Sequence, residues 1–231
     1  MKTKLNLTPP QLAGMIDHTF LKPFGPPEDI EKVCHEAAEY GFAMVAINPA
    51  EVEHCVRLLA GTPVRVGAAI GFPLGQSTRA VKEHETKDAI QRGAGEIDTV
   101  INVRALQAGQ VELVMGEITD MVRACRPSGV ICKVILETCY LTDEQKRQVC
   151  KMALQAGADF VKTSTGFGPA GATLKDVCLM QKAVGKKIGV KAAGGIRSLD
   201  QALAMVEAGA TRIGTSAGVA IVQELRSRSQ T

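Results

Sequence analysis

A helix-ending glycine followed by a short apolar run recurs along this chain, and that repeat limits the folds open to it. Ala156-Gly157-Ala158-Asp159-Phe160-Val161-Lys162 resembles Ala208-Gly209-Ala210-Thr211-Arg212-Ile213-Gly214. Gly93-Ala94-Gly95-Glu96-Ile97-Asp98 is a looser third copy, and Gly41-Phe42-Ala43-Met44-Val45 a fourth. Glycine just past a helix tolerates the left-handed backbone that ends it. The apolar run after it reads as a buried strand. Helix starts are marked as well. Thr142-Asp143-Glu144-Gln145 and Ser198-Leu199-Asp200-Gln201 have the spacing of capping boxes. Val149, Met152, Ala153 and Ala156 then fall on one helix face, as do Ala202, Met205, Val206 and Gly209. Core packing explains these apolar stripes better than a cofactor groove.

Read this way, strands fall at 16–19, 43–48, 64–71, 96–102, 130–137, 159–164, 188–193 and 211–215. Helices fill 28–40, 50–60, 77–92, 104–125, 142–156, 172–185, 198–208 and 216–227, with an extra N-terminal helix at 9–15. Strict alternation implies a parallel sheet. Eight units in 231 residues favour closure into an α/β (β/α)₈ TIM barrel, expected as a single domain over 1–231. The alternative is a doubly wound open sheet, but no G-x-G-x-x-G follows the first strand.

Composition narrows the function classes. The net charge is only +3, aromatics are 3% and Trp is absent, so nucleic acid is a poor partner. Seven cysteines, odd in number and without a C-x-x-C, argue against a disulfide framework or a structural zinc site. They suit reduced thiols in a cytoplasmic protein. The first ten residues hold no apolar run of signal-peptide length, and no long apolar stretch follows, so no membrane association is expected. Barrels often pair, so a homo-oligomer is among the expectations, although no interface signature stands out.

A barrel carries its active site at the C-terminal ends of its strands. The strands there bear Asp17, Asn48, Asp98 and Asn102, Lys133 and Glu137, Lys162-Thr163-Ser164-Thr165, Lys191, and Gly214-Thr215-Ser216. Lysine is rarely buried, yet Phe160-Val161-Lys162 and Gly189-Val190-Lys191 each set one in an apolar run. Alternation puts Asp98 on a face with Glu96, Val100 and Asn102, and Lys133 with Ile135 and Glu137. The structural alternative is a ring of ion pairs closing the barrel top, Asp98 with one lysine and Glu137 with another. Local turn bonding is the alternative for Asp17 and Asn48.

Converging lysines permit Schiff-base chemistry, which needs a neutral amine. Free lysine is neutral only to the order of one part in a thousand at pH 7. Desolvation and a neighbouring cation both lower its pKa. Lys191 beside Lys162 supplies the second effect and the barrel interior the first. Asp98 can hold Lys191 charged and take part in proton transfer. Thr165 or Ser164 can add hydrogen bonds. Lys191-x-x-Gly194-Gly195 and Gly214-x-Ser216 follow the seventh and eighth strands, the usual barrel position for a phosphate. No metal site is expected: His18, His35, His54 and His84 show no H-x-x-x-H or H-E-x-x-H.

At these residues the chain resembles the deoxyribose-phosphate aldolases over nearly its whole length. The resemblance is carried by Ile16-Asp17-His18-Thr19-Phe20-Leu21-Lys22-Pro23, Gly71-Phe72-Pro73-Leu74-Gly75 and Glu96-Ile97-Asp98-Thr99-Val100-Ile101-Asn102. Lys133-Val134-Ile135-Leu136-Glu137-Thr138, Phe160-Val161-Lys162-Thr163-Ser164-Thr165-Gly166-Phe167 and Gly189-Val190-Lys191-Ala192-Ala193-Gly194-Gly195-Ile196-Arg197 continue it. It implies reversible cleavage of 2-deoxy-D-ribose 5-phosphate to D-glyceraldehyde 3-phosphate and acetaldehyde, without a cofactor. It assigns the Schiff base to Lys162 and the proton-transfer pair to Asp98 and Lys191. It places the phosphate among Gly166, Gly194, Gly195, Gly214 and Ser216. Asp17, Asn48, Lys133 and Thr165 complete the expected substrate contacts. The chain departs from relatives at Thr99 and Arg104, at Phe167, where some carry a lysine, and at its Ser-Gln-Thr end, where some carry a tyrosine. A ketose-phosphate enzyme with the same Schiff base and a non-catalytic phosphometabolite-binding barrel are the competing readings.

Overall fold

The computed structural model describes residues 7–229. The first six residues and Gln230-Thr231, which enter the leader and tail readings above, lie outside the described residues. Eight strands close into a barrel in sequence order, each parallel to both neighbours. They are β1 (Ile16–Thr19), β2 (Met44–Ile47), β3 (Arg65–Ile70), β4 (Glu96–Val100), β5 (Ile131–Ile135), β6 (Phe160–Lys162), β7 (Gly189–Ala193) and β8 (Arg212–Thr215). The helices are α1 (Pro9–Ala13), α2 (Glu28–Tyr40), α3 (Val52–Leu58), α4 (Arg79–Gln91), α5 (Val103–Gln107), α6 (Val111–Cys125), α7 (Asp143–Ala156), α8 (Leu174–Val184), α9 (Leu199–Glu207) and α10 (Gly218–Arg228). The architecture is the (β/α)₈ barrel with an added N-terminal helix that the alternating pattern implies.

The repeat that suggested the fold is also what builds it. All four glycines of the repeated join have positive φ: 70° at Gly41, 102° at Gly93, 80° at Gly157 and 110° at Gly209. Each lets a helix reverse into the next strand at no Cβ cost. Thr142 and Ser198 make their capping boxes with Gln145 and Gln201, and Thr8 makes a third with Gln11.

Alternation sorts the side chains. Val45, Ile97, Val134, Val161, Val190 and Ile213 point outward into the apolar layer between sheet and helices. Each such buried side chain contributes about 1.5–3 kcal/mol. The inward set includes Asp17, Met44, Glu96, Asp98, Lys133, Lys162, Lys191 and Arg212. Gly67 on β3 has no Cβ because Met44 fills that space.

One expected helix is two. The 104–125 segment breaks at Ala108-Gly109-Gln110, where Gly109 takes φ 76° and the Gln110 N–H donates to the Ala105 carbonyl. The expected 50–60 helix opens with a 3₁₀ turn at Pro49–Glu51, since proline starts a turn without needing its missing N–H. No helix among the described residues is long and apolar enough to cross a membrane.

Candidate active site

Six strands deliver charges into the barrel interior. Asp98 on β4 lies at the centre. Its Oδ1 accepts from Lys133 Nζ at 2.7 Å. Its Oδ2 accepts from Lys162 Nζ at 2.9 Å and from Lys191 Nζ at 2.6 Å. Lys191 also meets Asp17 at 2.5 Å, and Lys133 also pairs with Glu96. Arg212 closes the floor: its Nε donates to Asp17 at 2.7 Å, and its Nη2 meets Asp17 and, at 3.1 Å, Glu96. The lysine side chains are between 0% and 3% exposed as residues, with Lys162 the uppermost.

The set contains four cations and three carboxylates. An isolated buried charge is expensive, so one group is driven to give up its charge. Arginine does not. Among the described residues, Lys133 and Lys191 each hold two short carboxylate contacts, whereas Lys162 has Asp98 alone. Lys162 is therefore the lysine of the cluster that holds its proton least tightly. Burial pushes its pKa down from 10.5 to about 8; Asp98 opposes this, and Lys191 and Lys133 add to it. Lys133 moves the other way: burial would lower it, but Asp98, Asp17 and Glu96 together outweigh that. Burial would raise Asp98, yet Lys133, Lys162 and Lys191 hold its carboxyl well below the usual range. Sequence reasoning named the neighbouring cation and desolvation together; in the structure desolvation is the larger effect.

Above Lys162 opens a cavity of about 640 Å³. Lys162, Thr165, Gly166, Gly194, Gly195, Gly214 and Ser216, all singled out in the sequence, line it. Gly194 and Gly195 sit at φ 90° and 81°. These left-handed residues turn the loop after β7, a conformation costly for any side chain. Gly171 packs where a Cβ would strike the Gly194 carbonyl, locking the β6 and β7 loops together. Beyond Ser216, α10 begins without a side-chain cap, leaving N–H groups free for an anion.

Five other expected site residues are not on the cavity wall: Asp98 and Lys191, buried in the charged cluster with Lys162, and Asp17, Lys133 and Asn48. Asp17 and Lys133 lie beneath it, fully buried and held by ion pairs. Alternation had given the face of Lys133, but the depth of neither residue. Asn48 is half-buried, precedes the 3₁₀ turn, and does not line the cavity. Among the described residues, no lysine pairs with Glu137 in the way the sequence suggested. Its carboxylate accepts from the Thr165 hydroxyl and from the Thr165 N–H at 3.3 Å. Glu137 has φ 55°, a strained conformation for a side-chain-bearing residue. Its bonds fix the loop that follows Lys162.

Sequence reasoning passed over several wall residues. Lys22, Lys32 and Arg197 bring positive charge to the cavity and Phe20 brings apolar surface, as does Phe167, which the sequence had marked only as a departure from relatives. Phe167 stacks edge-on against Phe72, with ring centroids 5.2 Å apart. His18 meets Glu36 at 2.6 Å. Arg212 was legible, since it alternates with Gly214 as Lys191 does with Ala193. Among the described residues, no group of three or more His, Cys, Asp or Glu is arranged to hold a metal ion.

Known proteins resemble this chain over nearly its whole length. The model of the DeoC/LacD family aldolases matches residues 13–224. A Bacteroides thetaiotaomicron protein named deoxyribose-phosphate aldolase is 70% identical over 218 residues, 94% of this chain and 92% of that protein. A Caldanaerobacter subterraneus protein of the same name is 55% identical over 214 residues, 92% of this chain and 93% of that one. The tetrameric deoxyribose phosphate aldolase of Aeropyrum pernix superposes with a TM-score of 0.89 at 34% identity, over 96% of this chain and 93% of that one. The chain belongs to the DeoC/LacD family of aldolases.

Proposed function

We propose that this protein reversibly cleaves 2-deoxy-D-ribose 5-phosphate to D-glyceraldehyde 3-phosphate and acetaldehyde through a Schiff base on Lys162. The observation that carries the reading is the single shared carboxylate contact of Lys162 at the floor of the cavity. This leaves an amine that is about one-tenth neutral at pH 7, far more than a free lysine, and open to an aldehyde. The substrate class is taken from the named relatives.

Neutral Lys162 Nζ adds to the C1 aldehyde of the open-chain sugar, and loss of water gives an iminium. The C3 hydroxyl then loses its proton and the C2–C3 bond breaks. Its electron pair moves into the C1–C2 enamine, and C3 leaves as the aldehyde of glyceraldehyde 3-phosphate. Protonation at C2 and hydrolysis release acetaldehyde, restore Lys162 and take back the water. The Asp98–Lys191 pair, at 2.6 Å, supplies and accepts these protons directly or through a water. Backbone N–H groups near Gly194 and Gly195, the start of α10 and the Ser216 hydroxyl receive the phosphate, with Arg197 nearby.

A homo-oligomer in the cytoplasm belongs to the same proposal. Among the described residues all seven cysteines are free, as suits a reducing compartment, and the Aeropyrum relative is a tetramer. Light scattering of the purified chain tests the assembly. Borohydride reduction during turnover tests the chemistry: peptide mapping should find the adduct on Lys162, and Lys162→Leu should neither be trapped nor turn over. Turnover without an adduct overturns the mechanism.

A further inference from the structure

We propose that Arg212, on the barrel floor and out of reach of the substrate, is a positioning residue that sets the protonation of Lys162. This rests on the reading of Lys162 as the Schiff-base amine. Two chains of contacts link them. One runs from Arg212 to Asp17, on to Lys191 at 2.5 Å, to Asp98 at 2.6 Å and to Lys162 at 2.9 Å. The other runs from Arg212 to Glu96 at 3.1 Å, through Lys133, to Asp98 at 2.7 Å.

The charge count explains why the floor matters. Without Arg212, three lysines face three carboxylates, Asp17, Glu96 and Asp98, and every lysine can stay charged. Arg212 adds a cation that cannot release its proton. The surplus then falls on the lysine least held by carboxylates, which is Lys162. Arg212 is well placed to remain fixed: it is 9% exposed, and its guanidinium lies 5.7 Å from the Phe160 ring centroid.

The other strands add little charge. Met44 on β2 presents its sulfur to Lys133 at 3.4 Å. Gly67 and Ala69 line β3, and Arg65 of the same strand reaches Glu96 at 3.6 Å from a half-exposed position where water screens it. Glu137, above, is engaged with Thr165.

The test is the pH midpoint for trapping Lys162 with acetaldehyde and borohydride in four proteins. The parent should show a midpoint near 8. Arg212→Met keeps the bulk and removes the charge. It should raise the midpoint by about one unit, cutting neutral amine at pH 7 about tenfold, as expected for a unit charge of order 10 Å away at an effective dielectric of about 20. Arg212→Lys should restore the parent midpoint. Glu96→Gln removes a carboxylate and should lower it. A folded Arg212→Met with the parent midpoint overturns the proposal, as does Arg212→Lys behaving like Arg212→Met. Should Arg212→Met not fold, Glu96→Gln decides, and a midpoint at or above the parent's overturns it. Absence of any adduct in the parent instead refutes the Schiff-base reading itself.

Discussion

Replacing Lys191 with methionine isolates the influence of the nearest cation on Lys162. Both amines donate to the same Asp98 oxygen, at 2.6 and 2.9 Å. Their nitrogens are thus about 5 Å apart, where two unit charges at an effective dielectric of about 20 repel by roughly 3 kcal/mol. That is about two pKa units. Lys191→Met should therefore move the Lys162 midpoint from about 8 to about 10, leaving roughly a hundredth of the neutral amine at pH 7. The assay is the rate of adduct formation with acetaldehyde at each pH, quenched with borohydride and read by intact mass. Above the new midpoint the trapping rate should recover to within a few-fold of the parent. Loss of a proton carrier alone would lower the rate at every pH and leave the midpoint in place. A midpoint still near 8 would refute the charge argument.

Other consequences follow from the same structure. Lys162 is depressed on folding, so protonation costs stability below pH 8 and the cost is relieved as pH rises from 8 towards 10.5. Lys162→Leu should accordingly raise the Tm at pH 7 by several degrees, since the cost is about 3 kcal/mol, and the gain should vanish near pH 10.5. An equal gain at both pH values would contradict this. Glu137→Gln weakens the charged hydrogen bonds holding Thr165 and should cut kcat/KM for the 5-phosphate about tenfold. The loss with unphosphorylated 2-deoxyribose should be smaller, and equal losses would place the effect outside the phosphate loop. Buried Lys82 donates to the Val100 carbonyl at 2.9 Å and to Glu117 at 3.0 Å. Lys82→Met strands the Glu117 carboxylate and should cost about 3–5 kcal/mol in urea unfolding; a loss under about 1 kcal/mol would show the pair to be dispensable.

The barrel was legible because its joins are written in residues with local consequences. Gly41, Gly93, Gly157 and Gly209 each take the positive φ that their place after a helix implies. Gly109 carries the same signal but lies inside a run of helical period, so periodicity masked the break before α6. At the site, alternation told which face Lys133 occupies. It could not tell that Lys133 and Asp17 lie buried off the cavity wall, because depth depends on strand stagger around the closed barrel. Asn48 was read from its place at a strand end, yet its orientation is set by the turn at Pro49. Glu137 bonds across to the neighbouring loop at Thr165, a pairing between residues 28 apart that no local pattern encodes.

The most direct measurement is a titration of Lys162 in the unliganded protein, followed by NMR of Cε-labelled lysine and assigned with Lys162→Leu. The burial of this amine and its lone carboxylate partner predict a midpoint of about 8. A midpoint at 10.5, the ordinary lysine value, would mean that the barrel interior does not strip the proton from this nitrogen, and the account would fail.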